Sequence, residues 1–322
     1  MVIDLNTDSE TLQEYLTTLN WLHSGETISR LSSPGEGNMN IVIRVHTNQR
    51  TFILKQSRSY VRKYPDVDAP IQRIDTEYQW YKAVDSDGAV PFLPNVIQYS
   101  KENNLLMIED IGESKDLSLL YGQREISTEI LAQLVSALSA IHESHIREEF
   151  PTNLPLRQLN HQHIFVLPFM EDNGFQLDDI QEGLQALSLP YKQDEALKSS
   201  ISDLGQQYLS KGDTLLHGDY YPGSWIKTKD EVYVIDPEFS FVGFAEFDLG
   251  VMAAHLILIS SDESYIPMIC EMYDGNCNYN LVQQYAGIEI MRRLIGLAQL
   301  PLVRNLQEKS QLLQLAKDLI LE

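Results

Sequence analysis

Cysteine is nearly absent from this chain: Cys270 and Cys277 are the only two in 322 residues, with six residues between them. Two cysteines cannot build a disulfide framework or a structural zinc site, so the expected compartment is a reducing cytoplasm. Basic residues are scarce as well, with 24 Lys and Arg against 46 Asp and Glu for a formal charge of -22. Such acidity argues against nucleic acid or an anionic membrane surface as partner. Long apolar runs are missing too. The longest, Val251 to Ile259, is interrupted by His255 and is about half of the ~20 residues that a bilayer-crossing helix needs. The start, Met1-Val2-Ile3-Asp4, has neither the basic end nor the apolar core of a signal peptide. Internal repeats and low-complexity linkers are lacking. The length suffices for a large core and two lobes.

The first 110 residues are strand-rich and the remainder is largely helical. Ile28 to Leu31 reads as a strand. Ile41-Val42-Ile43-Arg44-Val45 and Phe52-Ile53-Leu54-Lys55 read as a hairpin around Thr47 to Arg50, and Asn95 to Tyr99 pairs with Leu105 to Ile108 around Lys101 to Asn104. Ile71, Ile74, Tyr78 and Tyr81 recur at helical spacing, so one amphipathic helix is expected from about Pro70 to Val84. Downstream, Leu131, Leu134, Val135, Leu138 and Ile141 form an apolar stripe with Ser127 as N-cap. Further helices are expected over Asp194 to Leu209, Phe247 to Ile259, Leu281 to Leu300 and Leu306 to Ile320. The expectation is a small lobe of five strands and one helix over 1–111 and a mainly helical lobe over 112–322, meeting at a short hinge near Glu109 to Gly112.

The chemistry concentrates in Leu216-His217-Gly218-Asp219-Tyr220-Tyr221-Pro222-Gly223-Ser224-Trp225 and Val234-Ile235-Asp236-Pro237-Glu238-Phe239. Trp225-Ile226-Lys227 and Val232-Tyr233-Val234-Ile235 flank a polar turn, as two antiparallel strands would. Pairing them is expected to bring Asp219 and Ser224 beside Asp236 and Glu238, where the carboxylates would repel unless a metal or a cationic group sat between them. Each carboxylate alone reads as ordinary turn chemistry. Together with His217-Gly218 and the apolar strands, they read as a base beside a Mg2+ ligand. His217 reads as structural, and His161-x-His163 without a third ligand reads as surface or core rather than as a metal site.

These residues resemble the aminoglycoside phosphotransferase and choline kinase superfamily. More narrowly, Gly218-Asp219 with Gly223-Ser224, then Asp236-Pro237-Glu238-Phe239-Ser240-Phe241, then Arg292-Arg293-Leu294-Ile295-Gly296-Leu297-Ala298, are similar to the 5-methylthioribose kinase family. Most of the superfamily carries Asn at position 224, where the methylthioribose kinases carry Ser. The likeness extends to Gly35-Glu36-Gly37-Asn38-Met39-Asn40 and to Lys55 through Arg62.

The resemblance implies a protein-kinase-like two-lobed α+β fold, a small antiparallel sheet lobe with one helix and a large helical lobe. It implies ATP and Mg2+ as cofactors, which the acidity does not oppose, because the phosphates arrive with the metal and meet a local cationic site. Gly35 and Gly37 would let backbone N–H groups approach phosphate oxygens, with Asn38 and Asn40 in the same nucleotide-binding loop. Lys55 would reach the α- and β-phosphates, held by Glu77, for which the alternative is a helical pair of Glu77 with Arg73. Backbone groups at Glu109 and Ile111 would meet the adenine edge. Asp219 would be the base, Asp236 a metal ligand, Glu238 and Ser224 further contributors at the metal, and Arg292 and Arg293 the substrate arginines, for which the alternative is surface pairing with Glu289.

The expected activity is phosphorylation of a small-molecule hydroxyl, with 5-methylthioribose as the leading acceptor. An aminoglycoside, choline or a homoserine-like alcohol is the alternative within the enzyme class, and a nucleotide-binding regulator without catalysis the alternative outside it. Residues 147–211 and 241–291, which build the acceptor pocket in this superfamily, match the narrower family least. A cytoplasmic protein is expected, and relatives include homodimers.

Overall fold

Alternating apolar residues along Ile41–Thr47 and Thr51–Gln56 put one face of each strand into a core, and the structure, a computed structural model, builds its first sheet around that pair. It describes residues 1–4, 6–35, 39–84, 90–112, 115–144, 149–229 and 231–322. Strands β1 (Ile28–Ser32), β2 (Ile41–Thr47), β3 (Thr51–Gln56), β6 (Val96–Ser100) and β7 (Leu105–Glu109) form an antiparallel sheet in the order β1-β2-β3-β7-β6. Between β3 and β6 lie the short hairpin β4 (Tyr60–Val61) and β5 (Tyr64–Asp68) and helix α2 (Arg73–Val84).

Side chains alternate across β3, so Phe52 and Leu54 share one face while Ile53 and Lys55 share the other. The first face buries Ile43, Val45 and Met107 together with Ile3, Leu12, Leu16 and Trp21. Leu12 and Leu16 belong to α1 (Ser9–Thr18). Among the described residues the small lobe therefore carries two helices where the sequence predicted one. Helix α1 is mostly polar and buries only those two leucines, so its stripe is narrow. Its clearest signal is the cap: the Asp8 carboxylate accepts from Thr11 N–H at 2.9 Å. The β4–β5 hairpin likewise went unread.

The chain divides into two compact units, Met1–Lys115 with Lys227–Glu238, and Asp116–Ile226 with Phe239–Glu322. The first is thus discontinuous in sequence. Strand β8 (Lys115–Asp116) ends its leading segment, and β11 (Val232–Val234) belongs to its returning one.

The second unit is helical. It contains α3 (Leu120–Gln123), α4 (Thr128–His142), α5 (Leu154–His161), α6 (Leu184–Lys192), α7 (Glu195–Leu209), α8 (Ala245–Ser260), α9 (Tyr265–Met272), α10 (Tyr279–Ile295) and α11 (Leu306–Leu321). A π-helical turn, Gln162–Val166, extends α5. Strands β9 (Thr214–Leu215) and β12 (Val242–Gly243) pair antiparallel around the motif segment, and β10 (Trp225–Lys227) follows it. Ser127 caps α4 as predicted, and Asp194 caps α7. Helix α10 ends at Ile295 rather than Leu300, with Gly296 at its C-cap.

Helix α8 is buried from Phe247 to Ile259 and α10 from Tyr285 to Ile295, so this pair forms the centre of the unit. Gly250 permits their approach: a Cβ there would lie 2.6 Å from Tyr285 Cβ. Among the described residues no helix is long and apolar enough to cross a membrane.

Candidate functional site

The predicted site residues fall into two groups, one in each unit. In the first, the β3 face opposite the Leu54 core directs Lys55 toward α2, and Lys55 Nζ donates to Glu77 Oε1 at 2.6 Å. Arg73, the alternative partner for Glu77, instead donates through Nε to Asn40 Oδ1 at 2.9 Å. Lys55 Nζ also donates to Asp236 Oδ1. Burial works against the ammonium, but Asp236 and Glu77 outweigh it and hold the Lys55 pKa well above its usual value. Asp236 sits in the left-handed region at φ 63° with its side chain 42% exposed, so it is the carboxylate of this group that presents oxygen outward.

Glu238 is placed differently. Its Oε2 accepts from Asn40 Nδ2 at 3.0 Å and lies 3.2 Å from Arg73 Nε, and burial pushes its pKa up to about 8 against the pull of Arg73. Asn40, read from the sequence as nucleotide-binding, thus has both ends of its amide engaged inside the unit. Among the described residues no group of three or more His, Cys, Asp or Glu is arranged to hold a metal ion.

Gly35 is exposed with open space around its Cα. Gly37 and Asn38 lie outside the described residues. At the predicted hinge, Glu109 N–H donates to Asn95 O at 2.8 Å and its carboxylate accepts from Asn95 Nδ2 at 2.6 Å. Arg44, which the sequence did not single out, fixes the following residues, with Nε on Asp110 Oδ1 at 3.1 Å and Nη2 on Gly112 O at 2.6 Å.

In the second unit, Asp219 lies on a loop whose backbone is held by Asp248. Asp248 Oδ2 accepts from His217 N–H at 2.7 Å and Oδ1 from Gly218 N–H at 3.0 Å. Gly218 has φ 84°, and a Cβ there would stand 2.3 Å from Phe239 O, so both conformation and space demand glycine. His217 is buried and its Nδ1 accepts from Asp219 N–H at 3.3 Å, a structural role as predicted from the sequence. Ser224 Oγ donates to Asp219 O at 2.9 Å, which closes the loop on itself.

The twin arginines are buried rather than paired at the surface. Glu289 Oε1 accepts from Arg293 Nε at 2.6 Å and Oε2 from Arg292 Nη1 at 2.9 Å. Arg293 Nη2 reaches to 3.7 Å from Asp219 Oδ1, and its guanidinium lies over the Tyr221 ring. Arg292 Nε is buried without a hydrogen-bond partner.

Burial raises the Asp219 pKa to about 6, with Arg293 and Arg292 opposing and Glu289 and Asp248 adding to the rise. Burial also lowers His255 to about 4, so its ring is neutral near pH 7. His255 Nε2 is 3.1 Å from Glu289 Oε1 and Nδ1 is 2.5 Å from Tyr121 Oη. Glu289 can only accept, because the two arginines hold it well below the usual carboxylate range against its burial. The His255 proton is therefore assigned to Nε2, and Nδ1 accepts from Tyr121.

Sequence reading missed Asp248, His255 and Tyr121 and underrated Glu289. The one signal available was His255 itself, a titratable residue inside an otherwise apolar run, which needs a buried partner.

Residues 30–286 match the phosphotransferase enzyme family. The chain is similar to the methylthioribose kinase of Exiguobacterium sibiricum, 31% identical over 235 residues that cover 69% of this chain and 59% of that enzyme, so the match spans less than two thirds of the relative's length. It is also similar to the methylthioribose kinase of Bacillus velezensis, 26% identical over 310 residues, covering 82% of this chain and 77% of that enzyme. Among solved structures, choline kinase from Streptococcus pneumoniae aligns at TM-score 0.53 and 12% identity over 97% of this chain and 98% of the other. A spectinomycin phosphotransferase in complex with ADP and spectinomycin aligns at 0.55 and 13% over 98% of each. At these identities the likeness is one of fold, a small antiparallel sheet lobe and a helical lobe.

Proposed function

The chain belongs to the phosphotransferase enzyme family, and from that premise we propose that it transfers the γ-phosphoryl group of ATP to a hydroxyl of 5-methylthioribose. The observation that carries this reading is the setting of Asp219: a carboxylate on a loop pinned through two backbone N–H groups by Asp248, with the Arg293 guanidinium 3.7 Å away. The relatives named methylthioribose kinase supply the acceptor.

Phosphoryl transfer passes through a loose transition state, so orientation and charge stabilisation matter more than strong base catalysis. Asp219 accepts the hydrogen bond of the attacking hydroxyl, aligns its oxygen, and takes the proton late. Ser224 serves the same step by fixing the Asp219 carbonyl. Arg292 and Arg293 offer guanidinium donors to acceptor and phosphoryl oxygens as charge develops.

The first unit takes the nucleotide. Lys55, aligned by Glu77, meets the α- and β-phosphates, the open backbone at Gly35 admits phosphate oxygens, and backbone groups at Glu109 and Ile111 meet the adenine edge.

Mg2+ is held by one or two carboxylates with water and phosphate oxygens completing its shell. The outward carboxylate of Asp236 fits that demand. Glu238, tied to Asn40 and Arg73, fits a supporting place behind it. When bound, Mg2+ would neutralise phosphate charge.

The test is ADP release with Mg2+-ATP across 5-methylthioribose, choline, homoserine, ribose and several aminoglycosides. Selective turnover of 5-methylthioribose is expected. Turnover of another acceptor alone would overturn the acceptor while keeping the phosphotransfer, and silence on all would overturn both.

A further inference from the structure

A cleft of about 670 Å3 opens beside the N-terminus of α11, formed within the second unit and built from none of the residues assigned above. Lys309 lines it and is only 5% exposed, and among the described residues its side chain has no hydrogen bond or ion pair. Burial lowers its pKa and no neighbouring carboxylate offsets that effect. Gln181 lines the same cleft, and its Oε1, an acceptor, is buried without a partner.

The other charges of the wall are already used. Arg124 Nη1 and Arg304 Nη1 both donate to Glu308 Oε1, at 2.9 and 3.1 Å. The cleft therefore gathers three cations against one carboxylate, in a chain whose formal charge is -22. Its lip is apolar, with Ile180 53% and Val303 69% exposed.

A lysine at a water-filled groove normally extends its ammonium into solvent and shields its stem. Lys309 is 5% exposed overall and leaves its ammonium at the cleft with no counter-charge beside it, and a charge so placed is costly. The cationic interior and the exposed apolar rim are complementary to one kind of molecule, a small anion with an apolar tail. We propose that this cleft is a second ligand site for such an organic anion, its carboxylate or phosphate headgroup on Lys309 and its tail against Ile180 and Val303. The site is independent of the phosphotransfer reading and takes no part in that chemistry.

The full chain is titrated calorimetrically with hexanoate, hexyl phosphate and hexylamine, with and without saturating ADP. At least one anion is expected to saturate at one per chain in both conditions, and hexylamine is expected to give no saturable heat. The headgroup that binds separates carboxylate from phosphate ester.

Lys309→Met should weaken the anion about tenfold or more through loss of a charge-assisted contact, with ADP binding unchanged. Three outcomes would each overturn the proposal: no saturable anion binding, anion binding abolished by ADP, or equal binding by Lys309→Met. Without the probe, Lys309→Met should unfold no earlier than the parent chain, since an uncompensated charge has been removed. A fold that collapses on this change would assign Lys309 a structural task and sink the site.

Discussion

Glu289 Oε1 accepts from Arg293 Nε at 2.6 Å, while the other oxygen of the same carboxylate takes Arg292 Nη1 at 2.9 Å. One buried carboxylate thus sets the positions of two adjacent arginines whose side chains leave a helix about 100° apart. Glu289→Gln keeps the shape but loses the charge, and Glu289→Asp keeps the charge but cannot reach both guanidinium groups. Each should lower kcat/KM for the acceptor about tenfold or more, the scale of losing a charged hydrogen bond, with KM for ATP nearly unchanged. Steady-state kinetics with each substrate varied in turn checks this split. Equal losses toward ATP and acceptor would remove the special place of Glu289.

The pH dependence of turnover follows from Asp219. Its pKa is raised by burial to about 6, and the carboxylate is the form that accepts the hydroxyl proton. Activity should therefore fall as pH drops through about 6, rather than near 4 as for an exposed aspartate. Glu289 contributes to that rise, so the acid limb of Glu289→Gln should move to lower pH. A pH profile of kcat/KM reads both effects. Asp219→Asn should lower turnover about a hundredfold or more and leave ATP binding nearly intact. A folded-state pKa raised above the unfolded one means that the native chain holds the extra proton between about 4 and 6, so this group reduces stability as pH rises across that window. Asp219→Asn should consequently lose less stability than the parent between pH 4 and pH 7 in thermal unfolding.

Lys55 stands between Glu77 and Asp236. Glu77→Gln leaves the strand and helix in place but loosens the ammonium, so KM for ATP should rise about tenfold while KM for the acceptor changes little. Lys55→Met should affect ATP use more severely, and a nucleotide titration of either variant measures it directly. Unchanged ATP affinity in both would remove Lys55 from the phosphate site.

What the sequence made legible, and what it hid, divides along a physical line. The β2–β3 hairpin, the β6–β7 pair and α2 each repeat a local period, and a period is visible in one stretch of chain. The Lys55–Glu77 contact was accessible because strand and helix each fix which face a residue occupies. Asp248 gives no local sign, since its partners are backbone N–H groups about 30 residues earlier. Glu289 reads as an ordinary helical partner of the arginines, and only the burial of α10 against α8 turns that surface pairing into a buried fork. The sequence likewise places Glu238 beside Asp236, as a second metal ligand or as a partner behind it, and does not reveal that Arg73 and Asn40, far away in sequence, engage its carboxylate.

That difference yields the sharpest contrast between two neighbouring carboxylates. Asp236 is held at φ 63° with its side chain 42% exposed, while Glu238 is buried and engaged by Asn40 and Arg73. Asp236→Asn should raise the Mg2+ concentration for half-maximal rate and cut turnover about a hundredfold or more, because a carboxylate ligand is replaced by a weaker amide. Glu238→Gln retains an oxygen for Asn40 and Arg73, so its Mg2+ requirement should stay within a few-fold of the parent. Stability supplies an independent reading. Burial raises Glu238 to about 8 from its ordinary 4.5, so the native chain binds the extra proton over that interval and loses stability as pH climbs through it. Glu238→Gln should flatten that slope in thermal unfolding measured from pH 5 to pH 8, whereas Asp236→Asn, which removes one of the charges that add to the rise, should only reduce it. A Mg2+ requirement that shifts equally in both variants would return Glu238 to the metal and refute its assignment to the Arg73–Asn40 cluster.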